Sequence, residues 1–317
     1  MAERLTHLGI LRFTGADALN FLQGQLTNDT RRLAENGALL AAYLNPQGRV
    51  LALLHLLTHS SGTLAILPRE LIQPIAERMR KFILRAKVKI DDPGESLVVF
   101  GCHGAEALAQ AGLQVPAEGS TLEADGIAVA RVGRGPRHWL VTAPHAKLDA
   151  LQGGTASTGR ASTGRAETDW RLADIQEGLP QVYAATSEVF VAQMLNLDLL
   201  GGISFSKGCY TGQEIVARTQ HLGRIKRRLF HLRLPGAVGG PGGWHLGDAV
   251  SLSDGRHGRL TEVIENGTGS DALAVLNLEP QQTQEAAAPE IDGASSAAGT
   301  AAVVTVAEQV PLPYALT

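Results

Sequence analysis

Apolar positions recur along this chain at helical and strand periods in alternating blocks. Thr14 and Asp17 form a helix-capping pattern, and Ala18, Leu19, Leu22 and Leu26 then share one helical face. A second short helix is predicted from Asp29 to Asn36, with Gly37 as its stop. Leu51 to Leu57 and Leu64 to Leu67 are apolar runs that predict strands buried on both faces, or on one face and a domain interface. Pro74 marks the first turn of a helix in which Ile75, Met79, Phe82 and Ile83 face inward. Lys87-Val88-Lys89-Ile90 alternates as a half-exposed strand does. Strands at Leu97 to Phe100, Ile127 to Val132 and Trp139 to Thr142 flank a helix at Ala105 to Ala111. Strand pairs separated by helices predict split βαβ units, that is, α+β sandwiches.

The pattern then changes. Ala156-Ser157-Thr158-Gly159-Arg160 repeats as Ala161-Ser162-Thr163-Gly164-Arg165, and residues 153–166 are expected to form a flexible loop. A helix follows from Thr168-Asp169, with Trp170, Ala173 and Ile175 on its core side, until Gly178 and Pro180 end it. After Gly223 the pattern is all-β, with short strands at Leu229 to Leu234, Ala249 to Leu252, Leu260 to Ile264 and Ala272 to Leu276. The Ala/Ser/Gln-rich stretch 281–301 is expected to be a mobile insert, and Val303 to Val306 a closing strand. A small β-barrel fits this last part.

Composition narrows the function. The chain has 317 residues, 44% hydrophobic and 19% charged, with a net charge of −3. That length suits two or three domains. A protein that binds nucleic acid over its whole surface is normally basic, so any such role here is local, and direct DNA binding is not expected. Cys102 and Cys209 supply neither a disulfide framework nor a four-ligand metal site, so no metal centre is assigned. The first residues lack the apolar core of a signal peptide. Val50 to Leu57 is too short to span a bilayer. The expectation is a cytoplasmic protein without a membrane partner.

The densest candidate chemistry lies in Lys207-Gly208-Cys209-Tyr210-Thr211-Gly212-Gln213-Glu214. If Ile215 to Arg218 is helical, Cys209 lies just ahead of its N-terminus, where free N–H groups and the Lys207 charge favour a thiolate. An inert thiol in a tight turn is the alternative. From Lys207 to Arg233 there are seven cations against one acid, Glu214. They suit a solvated strand edge, or attraction of an anionic tail or RNA, though no interleaved aromatics favour RNA. Cys102-His103, and His55 with His59, are read as structural.

Gly201-Gly202-Ile203-Ser204-Phe205-Ser206 runs straight into that motif, and together they resemble the signature of the YgfZ family of folate-binding proteins. These are relatives of the aminomethyltransferase, or T-protein, of the glycine cleavage system. The resemblance extends to Thr14-Gly15-Ala16-Asp17, Phe21 through Asp29, Leu44 through Arg49, Trp170-Arg171 through Pro180, Leu195 through Asp198, and Pro311-Leu312-Pro313-Tyr314.

It implies two interleaved α/β sandwich domains and a C-terminal β-barrel around a central channel. The expected divisions are 1–48 with 133–223, 49–132, and 224–317. It also implies a tetrahydrofolate-type cofactor and support of iron–sulfur client proteins, including those that modify tRNA. Cys209 and Lys207 are then the candidate reactive pair. Trp170, Gln176, Glu177, Asn28, Asp29, Tyr210 and Glu214 are the candidate folate contacts. Trp170 is either a core anchor or a stacking wall for the pterin. Two departures count against aminomethyl transfer itself. The transferases carry a pair of aspartates after the turn that here is Asn45–Gly48, whereas Val50 to Leu54 holds no acid. They also carry a glutamate where this chain has Gln176. A one-carbon transferase with another acceptor, and a non-catalytic scaffold for client enzymes, remain as alternatives.

Overall fold

The computed structural model describes residues 2–34, 37–110, 112–133, 135–143, 161–221, 223–239, 242–280, 302–303 and 307–316; of 161–166 and 302–303 only the backbone is described. The first ten strands are β1 (Ala2–Arg4), β2 (Leu8–Thr14), β3 (Ala38–Leu44), β4 (Val50–His59), β5 (Gly62–Pro68), β6 (Lys89–Asp91), β7 (Val98–His103), β8 (Thr121–Ala124), β9 (Ile127–Arg131) and β10 (Arg137–Thr142). The rest are β11 (Arg227–Leu234), β12 (Ala249–Ser251), β13 (His257–Glu265), β14 (Ser270–Asn277), β15 (Ala302–Val303) and β16 (Glu308–Val310). The α-helices are α1 (Ala18–Gln25), α2 (Ile72–Arg80), α3 (Ala105–Gln110), α4 (Ala161–Glu177) and α5 (Gln213–His221).

Three sheets carry these elements, in the orders β1-β7-β10-β9-β8, β3-β4-β5-β2-β6 and β15-β12-β13-β14-β11-β16. Pairing is antiparallel except between β12 and β15. Neighbouring β1 and β2 enter different sheets, so the first two sheets interleave along the chain. The β3–β4 pairing spans residue 48. Among the described residues the third sheet is open, with β15 and β16 as edges. The barrel closure expected for this region is therefore absent from the described strands.

The near-continuous apolar run of β4 is explained by its place between two cores. Val50 to Leu54 pack into a cluster with α1, α2 and β3, and Leu57 joins Leu64, Ile66 and Trp139 in the core between the first two sheets. Leu53 and Leu54 are fully buried, each contributing roughly 1.5–3 kcal/mol. Trp170 of α4 seals that second core. Its ring lies against Gly101 of β7, where a Cβ would stand 2.4 Å from the ring. Any larger residue at 101 would expel the indole.

Several local expectations are corrected. Asp17 makes no cap bond to α1; its carboxylate accepts from the backbone N–H of Lys87. Asp29 heads a 3-10 turn over Thr30–Leu33 in place of an α-helix. Helix α2 stops at Arg80, so Phe82 does not face inward and is 48% exposed, while Ile83 does reach the core. Helix α4 begins at Ala161 and takes in the second copy of the repeat, earlier than the expected start and inside the expected loop. Residues 151–160 and the insert 281–300 lie outside the described residues, as do 304–306 of the expected closing strand.

Candidate functional site

The Lys207–Glu214 motif is held between two N-terminal turns. On one side, Thr27 Oγ1 donates to Gly202 O at 2.7 Å, Asn28 Nδ2 donates to Gly201 O at 2.8 Å, and Ser204 N–H donates to Thr27 O at 2.9 Å. Lys207 then closes the clamp. Its Nζ donates to the carbonyls of Gln23, Leu26 and Asn28 at 2.6, 2.6 and 2.9 Å. These lie at and just beyond the end of α1, where helical carbonyls lack partners and a cation is favoured. An ammonium has three donors, and all three are committed here. Burial lowers the Lys207 pKa to about 8. On the other side, Gly212 adopts φ +80° against the Asn45–Gly48 turn; a Cβ there would stand 2.6 Å from Asn45 O.

Between these anchors Cys209 is exposed, and α5 begins four residues later. Tyr210 is buried, its ring 5.0 Å from Lys207 Nζ, and burial pushes its hydroxyl up to about 12. Glu214 lies exposed in the first turn of α5, where a carboxylate suits the helix dipole. The motif thus holds one exposed thiol on a loop clamped at both ends. All three Lys207 donors are spent on carbonyls at the end of α1, so the lysine clips that helix in place. Asn28 and Asp29 are likewise local supports. Asn28 Nδ2 also donates to Leu40 O, and its Oδ1 accepts from Asp29 N–H. Asp29 is held well below the usual carboxylate range by Arg31. Cys102 is buried in β7, and burial raises its thiol pKa.

Trp170, Gln176 and Glu177 do not assemble as an open wall. Trp170 is 2% exposed; Arg137 lies over its ring at 4.7 Å and the His103 ring meets it edge-on at 5.5 Å. This corrects the stacking-wall reading in favour of the core anchor. Gln176 is exposed on α4, so the two are not brought together. Glu177 is bound instead by Arg137 of β10. Arg137 Nε donates to Glu177 Oε1 at 2.7 Å, and its Nη1 pairs with Asp174 at 2.8 Å. Burial raises the Asp174 carboxyl to about 6, against the opposing pull of Arg137. Glu177 Oε2 and Arg137 Nη2 are buried without a hydrogen-bond partner among the described residues. Such orphaned atoms mark a place where a polar ligand edge would be favoured. A pterin, which offers both N–H and carbonyl groups, fits that pair of groups chemically.

A carboxylate missed in the sequence lies beside β4. Glu188 holds a left-handed backbone, φ +64°, and its N–H donates to Val50 O at 2.8 Å. Asn45 Nδ2 donates to its Oε1 at 3.3 Å, and Arg78 pairs with it at 3.8 Å. It borders a groove of about 340 Å³ shared with Leu51, Ile75, Arg78 and Lys81. An acid next to a short helical turn gives no periodic signal, so only the tertiary contact reveals it.

Of the Lys207–Arg233 cations, Lys207 and Arg228 are buried and most of the others find a partner at the surface. Besides Lys207, Arg228 makes a two-pronged pair with Asp198 at 2.6 and 2.9 Å, Arg227 donates to Asn277, Arg224 pairs with Glu279, and Arg233 pairs with Glu308. Arg218 and Lys226 are exposed. Among the described residues no group of three or more His, Cys, Asp or Glu could hold a metal ion, and no helix is long and apolar enough to cross a membrane.

Three interlocked sheets with this motif clamped against the first helix define an aminomethyltransferase-like fold. The aminomethyltransferase T of the Bartonella henselae glycine cleavage system matches it with a TM-score of 0.64, 15% identity, 87% of this chain and 78% of that one. No family model matches the chain. The tRNA-modifying protein YgfZ of Colwellia psychrerythraea is 34% identical over 232 residues, 72% of this chain and 70% of that protein. Its namesake in Escherichia coli strain SE11 is 32% identical over 277 residues, 85% of this chain and 79% of that protein. The chain belongs to the YgfZ family.

Proposed function

We propose that this chain is a cytoplasmic, folate-binding accessory protein that supports iron–sulfur enzymes of tRNA modification. The observation that carries the reading is the mounting of Cys209, an exposed thiol on a loop clamped at Lys207 and Gly212. The names of the relatives, tRNA-modifying proteins, supply the process. A single thiolate can ligate iron in passing but cannot hold a cluster alone. The aminomethyltransferase-like fold supports a reduced folate. In this reading the three units, 1–48 with 133–223, 49–132 and 224–317, surround its channel. Glu177 and Arg137 are the groups that would meet the pterin edge, with Gln176 beside them in sequence. A deletion strain complemented with Cys209→Ala, scored for iron–sulfur enzyme activity and modified tRNA, tests the reading. Full complementation by that variant would refute the thiol's role. Calorimetry with tetrahydrofolate on the wild type and Glu177→Gln tests the cofactor; equal affinities would remove Glu177 from the site.

A second reading, one-carbon transfer to another acceptor, is favoured by Glu188. It places a half-exposed carboxylate beside Leu51, near the stretch where the sequence itself has no acid. Steering such a transfer needs a carboxylate near the reacting nitrogen. Release of a one-carbon-loaded folate that depends on Glu188 would establish this reading.

A further inference from the structure

The segment that follows α2 is an exposed basic surface that the fold leaves largely unmatched. Arg78, Arg80, Lys81, Arg85, Lys87 and Lys89 occur in twelve consecutive positions with no acid between Glu77 and Asp91. Two of the six are occupied. Arg78 pairs with Glu188, and Arg80 donates through Nε and Nη2 to Ile90 O. Lys81, Arg85, Lys87 and Lys89 are exposed, and none makes a side-chain hydrogen bond or ion pair among the described residues. Of the nearby acids, Asp91 holds Arg12 and the exposed Asp92 accepts from Gly94 N–H, while Asp17 accepts from Lys87 N–H and Glu188 is bound by Asn45 and Arg78. Glu77 lines the groove with Lys81 and is the one exposed counter-charge on α2 facing this segment.

Large apolar groups stand among these cations. Phe82 is 48% exposed and Leu84 88% exposed, a combination that a solvated charged loop does not require. The segment is also held in shape. Phe82 N–H donates to Met79 O, Ile83 N–H to Arg80 O and Leu84 N–H to Phe82 O, while Ile83 and Val88 pack on the core. Lys87 and Lys89 are exposed on either side of Val88, which packs on the core.

We propose that residues 81–89 form an RNA-contact surface, in which Lys81, Arg85, Lys87 and Lys89 hold backbone phosphates and Phe82 stacks on an unpaired base. Cations track a polyanion, and an exposed ring between them offers a sequence-tolerant platform for a splayed base. An acidic protein would match the charges but leave the ring's flat face without a specific role. The inference rests on the tRNA-modification reading and gives it a physical point of contact with the nucleic acid.

The test is fluorescence anisotropy of the full chain with a labelled, unmodified tRNA transcript between about 50 and 200 mM salt. The fourfold variant Lys81→Ala, Arg85→Ala, Lys87→Ala, Lys89→Ala is expected to lose at least about tenfold in affinity, with the salt slope reduced by roughly 3. Phe82→Ala is expected to lose about tenfold at an unchanged slope. Melting curves of both variants confirm folding, since every substituted side chain is exposed. A fourfold variant that keeps the wild-type affinity and slope would overturn the proposal. So would wild-type binding to anionic vesicles or polyglutamate as tight as to the transcript. Folate calorimetry and Cys209→Ala complementation test the function separately, so failure of RNA binding alone leaves that reading standing.

Discussion

Two basic stretches of this chain differ in how far the fold supplies partners for their charges. Residues 207–233 carry seven cations and residues 78–89 carry six. In the first stretch the fold supplies partners from a distance, the carbonyls at the end of α1 for Lys207, Asp198 for Arg228, Glu279 for Arg224 and Glu308 for Arg233, and leaves Arg218 and Lys226 exposed. In the second, four of the six keep their charge exposed and unmatched among the described residues. The difference follows from topology. The first stretch runs through the centre, from the α1 clamp along α5 into β11, and meets elements on both sides. The second joins the end of α2 to β6, the edge strand of its sheet, and meets neighbours on one side. Charge counted along a sequence therefore says little about binding until the partners are known.

The largest expected effect sits in the first stretch. Arg228→Ala removes one half of a buried pair whose side chains are 3% and 9% exposed, leaving Asp198 without its guanidinium. Urea unfolding should show a loss of about 3–5 kcal/mol. RNA affinity, measured where the variant is still folded, should not change. A loss under about 1 kcal/mol would mean that solvent reaches the pair and that the contrast between the stretches is overstated.

Lys207→Met comes next. Three carbonyls lose their donor, so a loss of roughly 1–3 kcal/mol is expected. This variant also decides what the lysine does. As a clip for α1 it leaves alkylation of Cys209 in the folded state as fast as in the wild type, with Cys209 labelled well before buried Cys102. Marked slowing of Cys209 in a folded Lys207→Met protein would restore the lysine as an activator of the thiol.

Much of the architecture was legible in the sequence, and the misses have physical causes. The β4 run, the strands of the all-β region and a helix just after Cys209 all follow from pattern or resemblance. Phe82 misled because it continues the i+3, i+4 spacing of Ile75 and Met79, and no Gly or Pro separates Arg80 from Arg85 to signal the end of α2. Trp170 misled because the packing of a large aromatic depends on a distant partner: the missing Cβ of Gly101 makes its slot. The role of Lys207 was hidden for a related reason. The carbonyls it caps are about 180 residues away in sequence, and carbonyls leave no trace in side-chain pattern.

The fourfold variant of residues 81–89 sharpens the comparison from the other side. Its stability should stay within about 0.5 kcal/mol of the wild type, because exposed side chains without partners contribute little to folding. A larger loss would show that these lysines and the arginine are structural after all. Their exposure would then be no guide to function.

The smallest expected effect belongs to Arg224→Ala. Its pair with Glu279 is short, at 2.5 Å, yet the two side chains are 79% and 70% exposed. Water screens such a pair, and ordering two long side chains costs nearly what the attraction gains, so stability should change by less than about 0.5 kcal/mol. The RNA readout is the more telling one. With Glu279 beside it, Arg224 presents almost no net charge, and its loss should leave both affinity for the tRNA transcript and the salt slope near wild type. A drop in affinity with a reduced slope would mean that Arg224 leaves Glu279 for a phosphate. The contact surface would then extend from residues 81–89 to the third sheet, and the two stretches would differ in degree and not in kind.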